Sequence, residues 1–180
     1  MIRELIGLNC SLHIQVVGVT ADEMIEEALR LVKEADSKIY IKVPVTKEGL
    51  KAIQILSSRG YGITATSIYS EIQAYLAIDA GASYVAPYHN CMDNLNIEVS
   101  SLIAWIVNVI ESQKSSCKIL GASYKNINQI NQSLVAGGHT VTFQPRLLYD
   151  ALASAPIDKA VHNFKSDWTS VFGDKTINEL

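Results

Sequence analysis

Ile39-Tyr40-Ile41-Lys42-Val43-Pro44-Val45-Thr46 is the stretch on which the reading of this chain turns. It is a β-branched, apolar run, the pattern of a strand covered on both faces, and it contains one lysine. Burial in a low dielectric disfavours an ammonium group, so a lysine in such a strand needs a reason. Two readings are open. The lysine lies near a strand end and snorkels its head to water, or it is kept as an amine that attacks a carbonyl carbon and forms an imine.

Outward from this run, short apolar strands alternate with amphipathic helices six times. Strands are predicted near 12–17, 39–43, 62–67, 83–87, 118–122 and 140–143. Helices are predicted at 21–35, 47–58, 70–80, 99–112 and 126–135, with a short one opening at Pro145 and a last one at about 157–172. Local signals support the helix ends. Thr20 and Glu23 form a capping box for the first helix. Gly60, Gly81, Gly137 and Gly173 fall where helices stop, and Pro145 suits a first helical turn. Strands spaced in this rhythm by helices make a parallel sheet with helices over it.

Two architectures fit, a doubly wound open sheet and a (β/α) barrel. The first would carry a glycine-rich phosphate loop after its first strand. Here that turn reads Val17-Gly18-Val19-Thr20, with a single glycine. The expectation is therefore a parallel (β/α) TIM-type barrel, one domain over 1–180 with a C-terminal helix at about 157–172. A full barrel has eight strands and about 250 residues; six strands are predicted here, so the first two βα units are expected to be lacking.

The composition narrows the partners. The chain has 180 residues, 48% hydrophobic and 18% charged, with a formal net charge of −3. No basic run or aromatic–basic interleaving marks a nucleic-acid surface. No segment approaches the length of a membrane span, and Glu4 interrupts the apolar stretch that a signal peptide would need. Cys10, Cys91 and Cys117 are odd in number and widely spaced, which argues against a disulfide framework or a zinc site. Reduced thiols in the cytoplasm are the simplest expectation.

In parallel α/β folds chemistry collects at the C-terminal ends of the strands. The polar residues there are Gln15, Lys42, Thr64, Thr66, Ser67, the run Tyr88-His89-Asn90, and Ser123. A single Gln or Thr in a strand is most often a satisfied core group. Together they describe a polar interior around one lysine, the constellation that imine chemistry requires: an amine nucleophile, hydroxyls or a held water to move protons, and polar groups for sugar hydroxyls.

At these residues the chain resembles the transaldolase family, and most closely its small fructose-6-phosphate aldolase-like subgroup. Three ordered segments carry the resemblance: Ile41-Lys42-Val43-Pro44-Val45-Thr46-Lys47-Glu48-Gly49-Leu50-Lys51-Ala52-Ile53, then Ala80-Gly81-Ala82-Ser83-Tyr84-Val85-Ala86-Pro87-Tyr88, then Phe164-Lys165-Ser166-Asp167-Trp168 with Phe172-Gly173. The resemblance implies an eight-stranded barrel in which Lys42 forms an imine with a dihydroxyacetone-type donor. It implies that Gln15 and Thr66 position a catalytic water, that Tyr88 is the acid/base, and that Ser123 helps to bind a substrate phosphate. Asn90 is a further substrate-binding candidate beside Tyr88. Transaldolases proper carry a glutamate where this chain has Gln15, so the resemblance favours an aldolase over a transferase. It further implies a homo-oligomer, a pentamer or decamer, with a sugar or sugar-phosphate substrate and no metal or organic cofactor.

The sequence departs from the family twice. The family opens with two more βα units, bearing an aspartate and a Thr-Asn pair, and Met1 aligns inside the second of its helices. The family also places a phosphate-binding arginine where this chain has Cys91. Cysteine cannot offer arginine's forked donors. Either Arg146 compensates, or the substrate lacks a phosphate, or Arg146 is an ordinary surface residue. Three functional readings follow: a Schiff-base aldolase, a transaldolase, and a non-catalytic family member. The remaining residues receive plainer readings. His13, His139 and His162 are expected to be structural or at the surface, Cys10 and Cys117 to be small buried hydrophobes, and Trp168 to pack in a core or against another subunit. His89 has a substrate contact as its alternative to a structural role.

Overall fold

The computed structural model describes residues 11–35 and 39–180, and Cys10 lies outside them. The chain divides into two compact units, Met1–Phe143 and Gln144–Leu180.

The first unit alternates strands and helices as the sequence predicts: β1 (Leu12–Gln15), α1 (Ala21–Ala35), β2 (Ile39–Pro44), α2 (Lys47–Ser58), β3 (Gly62–Ile68), α3 (Glu71–Asp79), β4 (Tyr84–Pro87), α4 (His89–Asp93), α5 (Val99–Ser112), β5 (Lys118–Gly121), α6 (Ile127–Val135) and β6 (Thr140–Val141). All six strands are parallel and pair in chain order, β1 through β6. The sheet curls into a half-barrel. The five-residue α4 has no counterpart in the sequence reading, which left His89 and Asn90 at a strand end.

The covered face of the sheet holds the core. Ile41, Val43, Ile63, Ala65, Val85 and Ile119 are fully buried. They pack in one cluster with Ala52, Ile53 and Leu56 of α2 and Leu102, Ile103 and Ile106 of α5. Each of the Val, Leu and Ile side chains among them contributes about 1.5–3 kcal/mol by leaving water. Capping follows the local sequence. Thr20 Oγ1 accepts from Glu23 N at 3.3 Å while Glu23 Oε2 accepts from Thr20 N at 2.9 Å, the reciprocal pair predicted for α1. Thr46 caps α2 by accepting from Gly49 N at 2.9 Å.

Gly49 is required by space rather than by backbone angle. A Cβ there would stand 1.9 Å from the Pro44 carbonyl oxygen, so α2 starts hard against the end of β2. In β3 the register against β4 slips between Ala65 and Ile68, with Ser67 in the left-handed region at φ 58°. This is a one-residue bulge. Thr66 stays on the concave side, and the extra residue returns Ile68 to the covered core.

The second unit contains α7 (Pro145–Leu152), α8 (Ala155–Phe172) and a 3-10 turn at Ile177–Glu179. Trp168 packs against Phe172 with ring centroids 4.4 Å apart and the planes tilted by 35°, and its indole donates to the Lys175 carbonyl at 2.6 Å.

Candidate active site

The alternation of β2 sets the position of Lys42. Ile39, Ile41 and Val43 enter the core, so Tyr40, Lys42 and Pro44 face the concave side. Lys42 is half-buried there, not buried as the apolar run suggested. Its strand neighbours in register are Gln15 on β1 and Thr64 on β3. Gln15 donates from Nε2 to the Lys42 carbonyl at 2.9 Å and to the Val16 carbonyl at 3.0 Å. Its Oε1 accepts from Thr66 Oγ1 at 3.4 Å. Gln15 and Thr66 thus meet across β2, next to the lysine.

On the side of Lys42 toward the strand starts, His13 Nδ1 lies 2.7 Å from Thr64 Oγ1. The His13 ring stacks on Tyr40 with centroids 4.6 Å apart, and Tyr84 meets both edge-on at 5.2 and 5.0 Å. Burial, with the Lys42 charge second, holds the His13 imidazole below its ordinary value of 6.5. A cavity of about 410 Å³ is lined by Ser11, His13, Lys42, Tyr84, Thr140 and Thr142, among others. A second hollow, about 620 Å³, lies at the strand starts around Tyr40, Gly60, Gly62 and Ser83 and contains none of the candidate residues.

The ends of β3, β4 and β5 bring a second group together. Tyr88 follows β4, half-buried, with its ring edge-on to Tyr69 at 5.9 Å. Cys91 Sγ lies 3.2 Å from Ser123 Oγ. Ser123, just past β5, is in the left-handed region at φ 63°. Non-glycine residues in this region collect at functional sites, where surrounding structure holds them. Burial first, then Cys91 and Tyr88, raises the Tyr69 phenol above its ordinary value.

Behind this group, α4 is tied to α6. Gln129 Nε2 donates to Asn90 Oδ1 at 3.2 Å and to Asp93 Oδ2 at 2.7 Å. His89 is 2% exposed, with Nδ1 2.8 Å from Ser133 Oγ and Nε2 3.6 Å from Asp93 Oδ2. It fastens α4, which carries Cys91 and begins just after Tyr88, to α6, the structural alternative of the sequence reading. Asn90 likewise spends its side-chain oxygen on Gln129. Arg146 belongs to the second unit, where its exposed guanidinium pairs with Asp150 at 3.7 Å. Cys117 is a buried hydrophobe, as expected, its thiol pushed up to about 12 by burial. His139 is structural: its Nδ1 accepts from Ile119 N at 3.1 Å. Among the described residues no group of three metal-ligating side chains converges, and no helix is long and apolar enough to cross a membrane.

The structure therefore joins Gln15, Lys42 and Thr66 in one group and Tyr88, Asn90, Cys91 and Ser123 in another, all at the strand ends. His13, expected to be structural or at the surface, lies two residues before Gln15 on the same strand face and packs beside this group.

A parallel half-barrel with Lys42 on its concave side and hydroxyls at its strand ends is consistent with a partial (β/α)-barrel. Comparison gives the family. The profile described as Transaldolase/Fructose-6-phosphate aldolase matches residues 1–175, and the chain belongs to that family. It is 45% identical over 176 residues to a probable fructose-6-phosphate aldolase of Streptococcus pneumoniae, covering 98% of this chain and 79% of that protein. It is 33% identical over 163 residues to a probable transaldolase of Paracoccus denitrificans, covering 91% and 74%. Among solved structures, GMP reductase of Trypanosoma brucei shares the fold, with a TM-score of 0.56 at 20% identity over 75% of this chain; the chain spans about a third of that protein, 32%.

Proposed function

We propose that the chain is a lysine-imine aldolase that cleaves or forms a ketose such as fructose 6-phosphate. The Lys42 amine adds to the ketone carbon of a dihydroxyacetone-type donor. The carbinolamine loses water, and the imine draws electrons from the adjacent carbon. That carbon gives up a proton to become an enamine, which attacks the aldehyde acceptor. Water then hydrolyses the product imine and returns the free amine. Tyr88 and a water held by Gln15 and Thr66 move the protons. Ser123 and Asn90 bind the sugar or its phosphate. No metal is required.

The observation that carries this reading is the Gln15–Thr66 pair beside Lys42, with Gln15 anchored on the Lys42 carbonyl at 2.9 Å. The glutamine and the 45% identical aldolase relative favour the lyase. Transaldolase activity is the second reading, favoured by relatives of that name at 33–34% identity; turnover of free dihydroxyacetone separates the two. We further read the six strands as part of an eight-stranded barrel, and the protein as a cytoplasmic homo-oligomer, a pentamer or decamer.

The test is borohydride reduction in the presence of dihydroxyacetone, followed by peptide mass mapping. A three-carbon adduct on Lys42 is expected. A folded protein without it would be a non-catalytic family member.

A further inference from the structure

We infer that Gln129 is a positioning residue: it turns the Asn90 side chain so that the amide nitrogen, and not the oxygen, is left for the sugar. The inference rests on the sugar-binding role proposed for Asn90 above.

The orientation follows from groups that can act in one way only. Gln129 sits in the first turn of α6 and is 6% exposed. The backbone N–H of Lys125 can only donate, and it lies 2.8 Å from Gln129 Oε1. A carboxylate oxygen can only accept, and Asp93 Oδ2 lies 2.7 Å from Gln129 Nε2. Both ends of the Gln129 amide are thereby assigned. Its nitrogen is also 3.2 Å from the Asn90 side chain, so the atom facing it there must be the acceptor, Oδ1. The other end of the Asn90 amide is Nδ2. Among the described residues Nδ2 has no hydrogen-bond partner, and the one partnerless buried polar atom is Tyr124 Oη. Asn90 Nδ2 therefore reaches solvent, beside Cys91 at the strand ends.

The same side chain joins the two segments that carry this group. Lys125 belongs to the loop after β5, which bears Ser123, while Asn90 and Asp93 belong to α4. Backbone bonds run between these segments as well, from Asn90 N to the Ser123 carbonyl and from His89 N to the Ala122 carbonyl, each 2.9 Å. Without Gln129 they would still hold the chain in place, but no described group would choose between the two ends of the Asn90 amide. An outward nitrogen takes an oxygen that accepts a hydrogen bond, on the sugar or on its phosphate. An outward oxygen would repel it.

Calorimetric binding of fructose 6-phosphate and of fructose is compared for wild type, Gln129→Met, Asn90→Ala and the double variant in the full chain, with fructose 6-phosphate cleavage kinetics alongside. Each single variant is expected to weaken binding about 5-fold. The double variant should also lose about 5-fold rather than about 25-fold, because Gln129 acts through Asn90. The same loss with fructose puts the bound oxygen on the sugar, and a loss with fructose 6-phosphate alone puts it on the phosphate. In the kinetics the half-saturating concentration should rise with the binding constant while the maximal rate stays within about 2-fold. A merely structural Gln129 would lower the maximal rate at unchanged half-saturation; that result overturns the inference, and so do additive losses in the double variant. Should Gln129→Met fail to fold, Gln129→Glu decides in the same way, its acceptor-only carboxylate drawing Asn90 Nδ2 inward. If wild type binds fructose 6-phosphate but forms no dihydroxyacetone adduct on Lys42, the imine reading fails and the binding comparison decides this inference alone. A wild type that binds neither sugar overturns it.

Discussion

The reactivity of Lys42 is a matter of placement. It stands half-buried in an open concavity, its strand neighbours are polar, and its backbone carbonyl is held by Gln15. Lys42→Met should lower aldol turnover by about 10³-fold or more while the protein stays folded; far-UV circular dichroism and a coupled aldolase assay check both halves. The two described cysteines differ in the same local way. Cys117 is buried with its thiol pushed up to about 12, whereas Cys91 is half-buried at the strand ends. Iodoacetamide should label Cys91 well before Cys117 in the folded chain, because alkylation needs an accessible thiolate; timed peptide mapping reads the order. At this scale the apolar run 39–46 was enough to place Lys42 in a strand. It could not tell that Lys42 lies on a less buried face than Ile41 and Val43, because a continuous apolar run reads as covered on both faces. The contact of His13 with Thr64 was not legible either, since the two are 51 residues apart in sequence.

At the scale of elements, two contacts support the site. The first is the approach of α2 to the end of β2. Gly49→Ala would drive a Cβ into the Pro44 carbonyl, a backbone atom that cannot rotate away. A loss of about 1–3 kcal/mol is expected, as for other overpacked positions, measured by urea unfolding. The second is the α4–α6 brace. Burial depresses the His89 imidazole below 6.5 and outweighs Asp93, which pulls the other way. The unfolded chain therefore binds a proton at higher pH than the folded one. Stability from this group is complete above about 6.5 and is lost as pH falls from there through the folded value. The melting temperature should drop between pH 7 and 5, and less steeply in His89→Gln; calorimetry across that range tests it. Most elements of this scale were legible from caps and spacing, Thr20 and Glu23 being the clearest case. Helix α4 was not, because five residues are too few to show a helical period.

For the molecule as a whole, the order of strands followed from their rhythm, since consecutive βα units place each strand beside the last. The sequence also pointed to an oligomer through its family resemblance. In the second unit α8 exposes Val161, Phe164 and Val171 at 59, 70 and 71%, more apolar surface than a helix leaves in water when nothing covers it. Light scattering after size exclusion should give a multiple of the 19.7 kDa chain mass; a monomer would remove the pentamer or decamer from the reading.

The strictly sequential sheet has a consequence for biosynthesis. Among the described residues each strand hydrogen-bonds to its predecessor and successor in the chain. As the polypeptide leaves the ribosome, amino end first and at about 5–20 residues per second, every new strand meets a neighbour that is already out. The six described strands can be laid down edge by edge during translation, each adding to the one before it.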